Sequence, residues 1–504
     1  MKKFSMMMAA GAVSSQGGCG AWGRRSGWLA PALVATLLLS GCALMDARQQ
    51  SLTADTAGAL EGKVEVRSPQ QGPVILVRLE NVADVLVVKD RIALPPDRRF
   101  RLSVLPGQFV LAAFIDVDGN GRFTPGEHGF YHPGPRIFTV AAQETVKVPD
   151  LVIDGTMAPP ASDVELAEDV AKYAQNAGRV ASLDDPVFSS TNSAMGMWQP
   201  LDFLKQVGGG LYLLQEYEPG KIPIVFVHGM GGNPNDWRRA IEEVDRARYQ
   251  PWVFFYPSGI RLDMLSDAFV RQVRALKNQH GVERFAVAAH SMGGLVTRSF
   301  VKKYVEQYGG ADFLFVMTVN SPMDGMASAA MGVAHSPIVL PAWRDVAVGS
   351  DFMQDLFAWH WPMGVPYHLV FSFQTGDSSD GTIPLESQLP LALQGEAVRL
   401  YGFHDSHVGT LSNPGFLDRF NAILREAADL PRNKMEKSPN EQDWAETDSG
   451  WLDGRGLHVG HGAGTGGGCG GGTGQEAGQS GRGADQRAVA VQLRRIRRRE
   501  RRRL

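Results

Sequence analysis

The chain has 504 residues, 44% hydrophobic and 20% charged, enough to bury a sizeable core and to form two or three domains. Eight Arg and one Glu between Arg494 and Arg503 give a local charge of +7 against a chain total of −3, so the remainder is acidic at −10, which argues against nucleic acid as the main partner. The three cysteines, Cys19, Cys42 and Cys469, lie in the leader and in a glycine-rich tail, so packing and not a disulfide must hold the fold.

The leader comes first. Lys2, Lys3, Arg24 and Arg25 supply positive charge, and the apolar run from Trp28 to Leu39 is too short to span a bilayer comfortably. It ends in Leu39-Ser40-Gly41-Cys42, which resembles the bacterial lipobox. That resemblance implies a diacylglycerol on the Cys42 thiol, with residues 1–42 as signal peptide and lipidated cysteine. Ala43, standing where a retention signal would place Asp, implies sorting to the outer membrane. The expected location is the cell envelope, with the membrane as a partner through the lipid anchor.

Residues 43–60 are rich in Ala, Gln and Thr and read as a tether. Residues 61–155 carry short β-rich runs such as Val74–Leu79 and Phe109–Ile115, punctuated by Pro, Gly and Asp, and read as a small β-sandwich. Leu105-Pro106-Gly107-Gln108-Phe109 and the strand after it resemble transthyretin-like modules beside bacterial surface enzymes. Within this stretch Asp116, Asp118, Asn120, Arg122 and Glu127 have the spacing of a calcium loop. Side-chain oxygens fall at positions 1, 3, 5 and 12, a backbone carbonyl at 7, and Gly121 at 6. The flanks are strands, so the expectation is a structural Ca2+ outside an EF-hand.

Residues 156–220 read as a linker with an amphipathic helix near 164–177. From 221 to 430 strands and helices alternate, which predicts a mostly parallel sheet with helices on both faces. The predicted strands are Ile222–Val227, Trp252–Tyr256, Phe285–Ala289, Phe313–Val319, His368–Phe373 and Glu396–Phe403. A helix carries Leu262, Leu265, Phe269, Val273 and Leu276 on one face, and another runs from Met292 to Tyr308. Residues 323–363, rich in Met and aromatics, read as a cap-like insertion. Residues 431–504, Gly-rich and then Arg-rich, cannot form a core and read as a disordered tail.

The strongest chemical signal is Ala289-His290-Ser291-Met292-Gly293 between a buried strand and a helix. It resembles the nucleophile elbow of the α/β-hydrolase fold, with Ala289 where Gly is usual. His228-Gly229-Met230-Gly231-Gly232 follows the first core strand and resembles the oxyanion loop of lipases of that fold. The resemblance implies the backbone N–H groups of Met230 and Met292 as oxyanion donors, with His228 shaping the loop. The acid and base should follow in that order. Asp380-Gly381-Thr382-Ile383-Pro384 resembles the acid segment of bacterial lipases and inositol-deacylase-like hydrolases, and His407-Val408-Gly409 resembles their histidine segment. The predicted triad is Ser291, Asp380 and His407, with Asp377 and His404 as rivals.

The expected function is a carboxylic-ester hydrolase acting on an ester or lipid substrate without a catalytic cofactor. An acyltransferase or thioesterase would use the same three residues, and a non-catalytic surface lipoprotein is the reading from another class. Oligomeric state is not legible in the sequence.

Overall fold

A computed structural model describes residues 44–82, 85–131, 137–155, 176–376 and 378–429. The lipobox with Cys42, most of the helix expected at 164–177, and the tail beyond 429 lie outside the described residues.

Among the described residues, nine strands form the N-terminal β-rich part: β1 Gly58–Val66, β2 Val74–Val82, β3 Val85–Ala93, β4 Arg99–Val104, β5 Gly107–Ile115, β6 Gly129–Tyr131, β7 Phe138–Val140, β8 Thr145–Lys147 and β9 Leu151–Ile153. One sheet is ordered β4-β1-β8, with β9 also on β1; the other is β3-β2-β5-β6, with β7 also on β5. Alternate residues from both sheets meet in one core: Leu60 and Val64 from β1, Leu102 and Val104 from β4, Leu76 from β2, Leu111 and Ala113 from β5. The intervening residues Ile75, Val77, Val110, Ala112 and Phe114 form a second cluster on the opposite face of β2 and β5. Burial on both faces is why these two strands read as unbroken apolar runs instead of alternating ones.

The stretch read as a tether is structured. Residues 44–54 are helical, and Ala47, Gln50, Ser51 and Ala54 are its buried positions. That is an i, i+3, i+4, i+7 stripe, but it is made of small and polar residues, so hydropathy alone hides it. Gln50 fixes the helix by donating to Asp202 Oδ2 at 2.6 Å and accepting from the Asp202 N–H at 3.1 Å.

The second part is a seven-stranded sheet ordered β10-β12-β11-β13-β14-β15-β16, formed by Gly210–Leu213 (β10), Ile222–Val227 (β11), Tyr249–Phe255 (β12), Phe285–His290 (β13), Phe313–Val319 (β14), Tyr367–Phe373 (β15) and Arg399–His404 (β16). All neighbours are parallel except β10, which runs antiparallel to β12. Its long covering helices are α1 Leu262–His280 and α2 Met292–Tyr308. Apolar clusters lie on both sheet faces, as a parallel sheet requires.

Two sequence expectations need correction here. The segment 156–220, read as linker and helical, does hold the helices Ser190–Trp198 and Pro200–Gln206, but it also contributes the edge strand β10, so the sheet's territory begins well before residue 221. The four-residue strand was masked by the glycines at 208–210, which read as a turn. The last strand begins at Arg399, because Leu391–Glu396 is helical.

The β-rich part meets α1 through polar contacts. Ser103 Oγ donates to Asp267 Oδ2 at 2.9 Å, and Arg271 lies 3.8 Å from Asp90.

Candidate active site

Every residue of β13 is buried, and α2 starts one residue after it. Ser291 lies between them with φ 56° and ψ −133°, a left-handed conformation that strains a residue bearing a Cβ. Such strain persists only where the surroundings enforce it. Here the Ser291 N–H donates to Val319 O at 2.9 Å, tying the turn to β14. Two glycines make room for the turn. A Cβ on Gly293 would lie 2.4 Å from the His228 carbonyl oxygen, and one on Gly229 would lie 2.8 Å from Ser291 Cβ. Ala289, where Gly is usual, is fully buried, so the methyl fits this turn.

Ser291, Asp380 and His407 converge. The Ser291 hydroxyl donates to His407 Nε2 at 3.0 Å, and His407 Nδ1–H donates to Asp380 Oδ2 at 2.7 Å. A carboxylate only accepts, which places the imidazole proton on Nδ1 and leaves Nε2 free to accept. The second Asp380 oxygen accepts from the Thr382 and Ile383 N–H groups at 2.8 and 2.7 Å. Asp380 is 1% exposed, so these bonds substitute for water around its charge. The His407 N–H donates to the Asp380 carbonyl at 2.9 Å, which links the two loops through backbone as well.

Of the rivals, His404 is exposed and bonds Thr375 Oγ1 at 2.6 Å, away from Ser291. Asp377 lies outside the described residues.

His228 is buried, and its Nδ1–H donates to the Gly229 carbonyl at 2.7 Å while Nε2 accepts from the Tyr256 N–H at 3.3 Å. Its ring stacks on Tyr256, and burial pulls its pKa down to about 4. A neutral imidazole used at both nitrogens shapes the loop and has no free site to take up a proton. This loop brings Gly229 against Ser291, with Met230 next in the chain, while Met292 opens α2 on the other side of the serine.

The sequence reading assigned no role to two residues that hold His407. His290 Nε2–H and Asn320 Nδ2–H both donate to the His407 carbonyl, at 3.0 and 2.9 Å. Asn320 directly follows β14 with φ 49°, in the turn corresponding to that of Ser291 one strand over. His290 was visible inside the elbow motif, but nothing in sequence pairs Asn320 with residue 407. Methionines flank the site. Met323 Cε would be 3.1 Å from a Cβ at Gly294, and Met197 Sδ 3.2 Å from one at Gly231. Met323 opens the segment 323–363, which forms the helices Ala327–His335, Pro341–Val346 and Asp351–Ala358. Met197 comes from the segment read as linker and helical.

The predicted metal ligands sit elsewhere, in the loop between β5 and β6. Asp116, Asp118 and Glu127 bring carboxylate oxygens within 4.8 Å of one another.

Residues 222–330 match the family described as alpha/beta hydrolase fold, and the seven-stranded sheet with its helices has that fold. No curated protein sequence matches the chain. Among solved structures, a gene product of Listeria innocua is similar at 15% identity and a TM-score of 0.33, over 41% of this chain and 94% of its own. The mature lipase BlEst2 of Bacillus licheniformis is similar at 17% identity and a TM-score of 0.33, over 42% and 97%. The phospholipase PlaB of Legionella pneumophila is similar at 18% identity and a TM-score of 0.30, over 33% and 44%.

Proposed function

We propose that this chain is a serine hydrolase of the lipase or esterase kind, cleaving carboxylic esters through an acyl-enzyme. The observation that carries the reading is the hydrogen-bond line from the Ser291 hydroxyl through the His407 imidazole to the buried Asp380 carboxylate. Ser291 Oγ attacks the acyl carbon as His407 Nε2 takes its proton. Asp380 holds the tautomer and balances the imidazolium charge. The Met230 and Met292 N–H groups receive the oxyanion, aided by the N-terminus of α2. His407 then protonates the departing alcohol, and water repeats the sequence on the acyl-serine to release the acid.

Met197 beside Gly231 of the oxyanion loop and Met323 beside Gly294 of α2 support an apolar acyl group, since flexible thioether chains adapt to alkyl surfaces. Cys42 is proposed as the lipid-modified residue holding the enzyme at the envelope membrane, in keeping with its lipobox setting. Among the described residues no helix is long and apolar enough to cross a membrane. The test is turnover of p-nitrophenyl esters from two to sixteen carbons by the protein and by Ser291→Ala. Turnover that disappears in the variant supports the reading; equal rates in both refute it. Labelling of residue 291 by a fluorophosphonate separates an inactive nucleophile from a wrong choice of ester.

A further inference from the structure

The geometry points to a calcium site in the β5–β6 loop, residues 116–127, built from Asp116, Asp118, Asn120, the Arg122 carbonyl and Glu127. The site is independent of the ester chemistry.

Three carboxylates whose oxygens lie within 4.8 Å repel one another unless a cation joins them. Asp116 and Glu127 are each 4% exposed, so water screens them poorly. One oxygen of Asp116, Oδ2, accepts from the Gly121 N–H at 3.0 Å, while the other, Oδ1, is buried with no donor. A buried carboxylate oxygen without a hydrogen bond is costly, and coordination to a metal would satisfy it.

The loop is already shaped for a central ion. Asp118 Oδ1 accepts from the Asn120 N–H at 3.0 Å, and Asn120 Oδ1 from the Arg122 N–H at 2.6 Å, so consecutive side chains turn inward at every second residue. Gly121 takes the positive φ of 70° that position 6 requires. Glu127 reaches back across the loop, accepting from the Val117 and Thr124 N–H groups at 2.7 and 2.8 Å. Phe123 packs edge-on against Phe114 of β5, which pins the far side. These bonds by themselves could make an ordinary polar turn. The lone Asp116 oxygen and the crowded charge are what a turn does not explain.

Oxygen donors without nitrogen or sulfur select a hard cation. A pliant twelve-residue loop with carboxylate, amide and carbonyl donors favours Ca2+ over the smaller, octahedral Mg2+. Bound there, the ion would staple the end of β5 to the start of β6.

The experiment is calorimetric titration of the EDTA-treated full-length protein with CaCl2, alongside thermal unfolding in Ca2+, Mg2+ and EDTA. One Ca2+ per chain and a melting temperature raised by roughly 5 °C or more at saturating Ca2+ are expected, with a smaller shift in Mg2+. Asp116→Asn and the exposed Asp118→Asn should lose the calcium shift yet melt in EDTA at or above the parent, because each removes one repelling charge. A parent protein whose melting is the same in 10 mM Ca2+ and in EDTA would overturn the site, as would variants that keep the full shift.

Discussion

The imidazoles of His290 and His407 lie with centroids 4.6 Å apart and their planes tilted by 41°, and His290 Nε2–H donates to the His407 carbonyl. His290 therefore grips the backbone of the residue whose ring meets Ser291, while Asn320 grips the same carbonyl from β14. A side chain acting only through such a grip should influence the position of the base, not the binding of substrate. His290→Ala is expected to lower kcat by about 10- to 100-fold with KM changed less than threefold, as misplacing a reacting group by a fraction of an ångström does. His290→Gln, whose amide can donate to the same carbonyl, should recover part of the loss. A KM effect as large as the kcat effect would show that residue 290 touches substrate instead.

His290 also contributes to acid sensitivity. Burial, and then the charge of His407, pull its pKa down to about 3, and burial alone does the same to His228, to about 4. The sign follows from proton uptake. Below about pH 6.5 the unfolded chain protonates these imidazoles and the folded chain does not, so unfolding takes up protons and stability falls as pH drops. The loss begins near 6.5 and continues towards 4, amounting to on the order of a few kcal/mol. Urea midpoints at pH 7.5 and 5.0 measure it, and His290→Gln should show the smaller difference. An identical pH dependence in parent and variant would remove His290 from the explanation.

Asp380→Asn separates charge from shape. The two backbone donors at Thr382 and Ile383 can still bond the amide oxygen, so the loop should keep its form. The amide nitrogen then faces His407 Nδ1 as a donor, which favours the tautomer protonated on Nε2 and deprives Ser291 of its acceptor. Ester turnover is expected to fall by about 10³- to 10⁴-fold while the unfolding midpoint moves little. A loss under tenfold would mean that Asp380 does not set the tautomer.

What the sequence disclosed depended on whether the signal was local. The boundaries of α2 and β14 were readable to the residue, because an elbow motif and an unbroken apolar run each announce themselves within a few positions. Ser291, Asp380 and His407 were legible because each lies in a short segment with its own turn chemistry. Asn320 was not, since its role is set by a carbonyl 87 residues away. Strand β10 and the helix at 44–54 were missed for a different reason. Their buried positions include Gly210, Ala47, Gln50 and Ser51, so an element held by close approach and polar contacts leaves little hydrophobic periodicity.

Arg298 is the largest buried charged side chain among the described residues. It is 1% exposed and lies on α2, where its guanidinium makes a forked contact with Glu396 at 2.7 and 3.1 Å. The rings of Phe357, Trp359 and Trp361 surround it at 4.6 to 5.6 Å. The pair joins the helix behind Ser291 to the helix Leu391–Glu396, and the end of the inserted segment is tied in as Arg298 Nη2–H donates to the Trp359 carbonyl and the Trp361 N–H donates to Glu396. Removing one partner strands the other in a dry site, so Glu396→Leu should cost about 3–5 kcal/mol in urea unfolding. Combining Arg298→Met with Glu396→Leu removes both charges and keeps an apolar fill among the aromatic rings. The double variant should regain most of that loss, because a buried ion pair contributes little net stability over a well-packed apolar replacement. Additive losses in the double variant would instead show that Arg298 and Glu396 act independently and not as a pair.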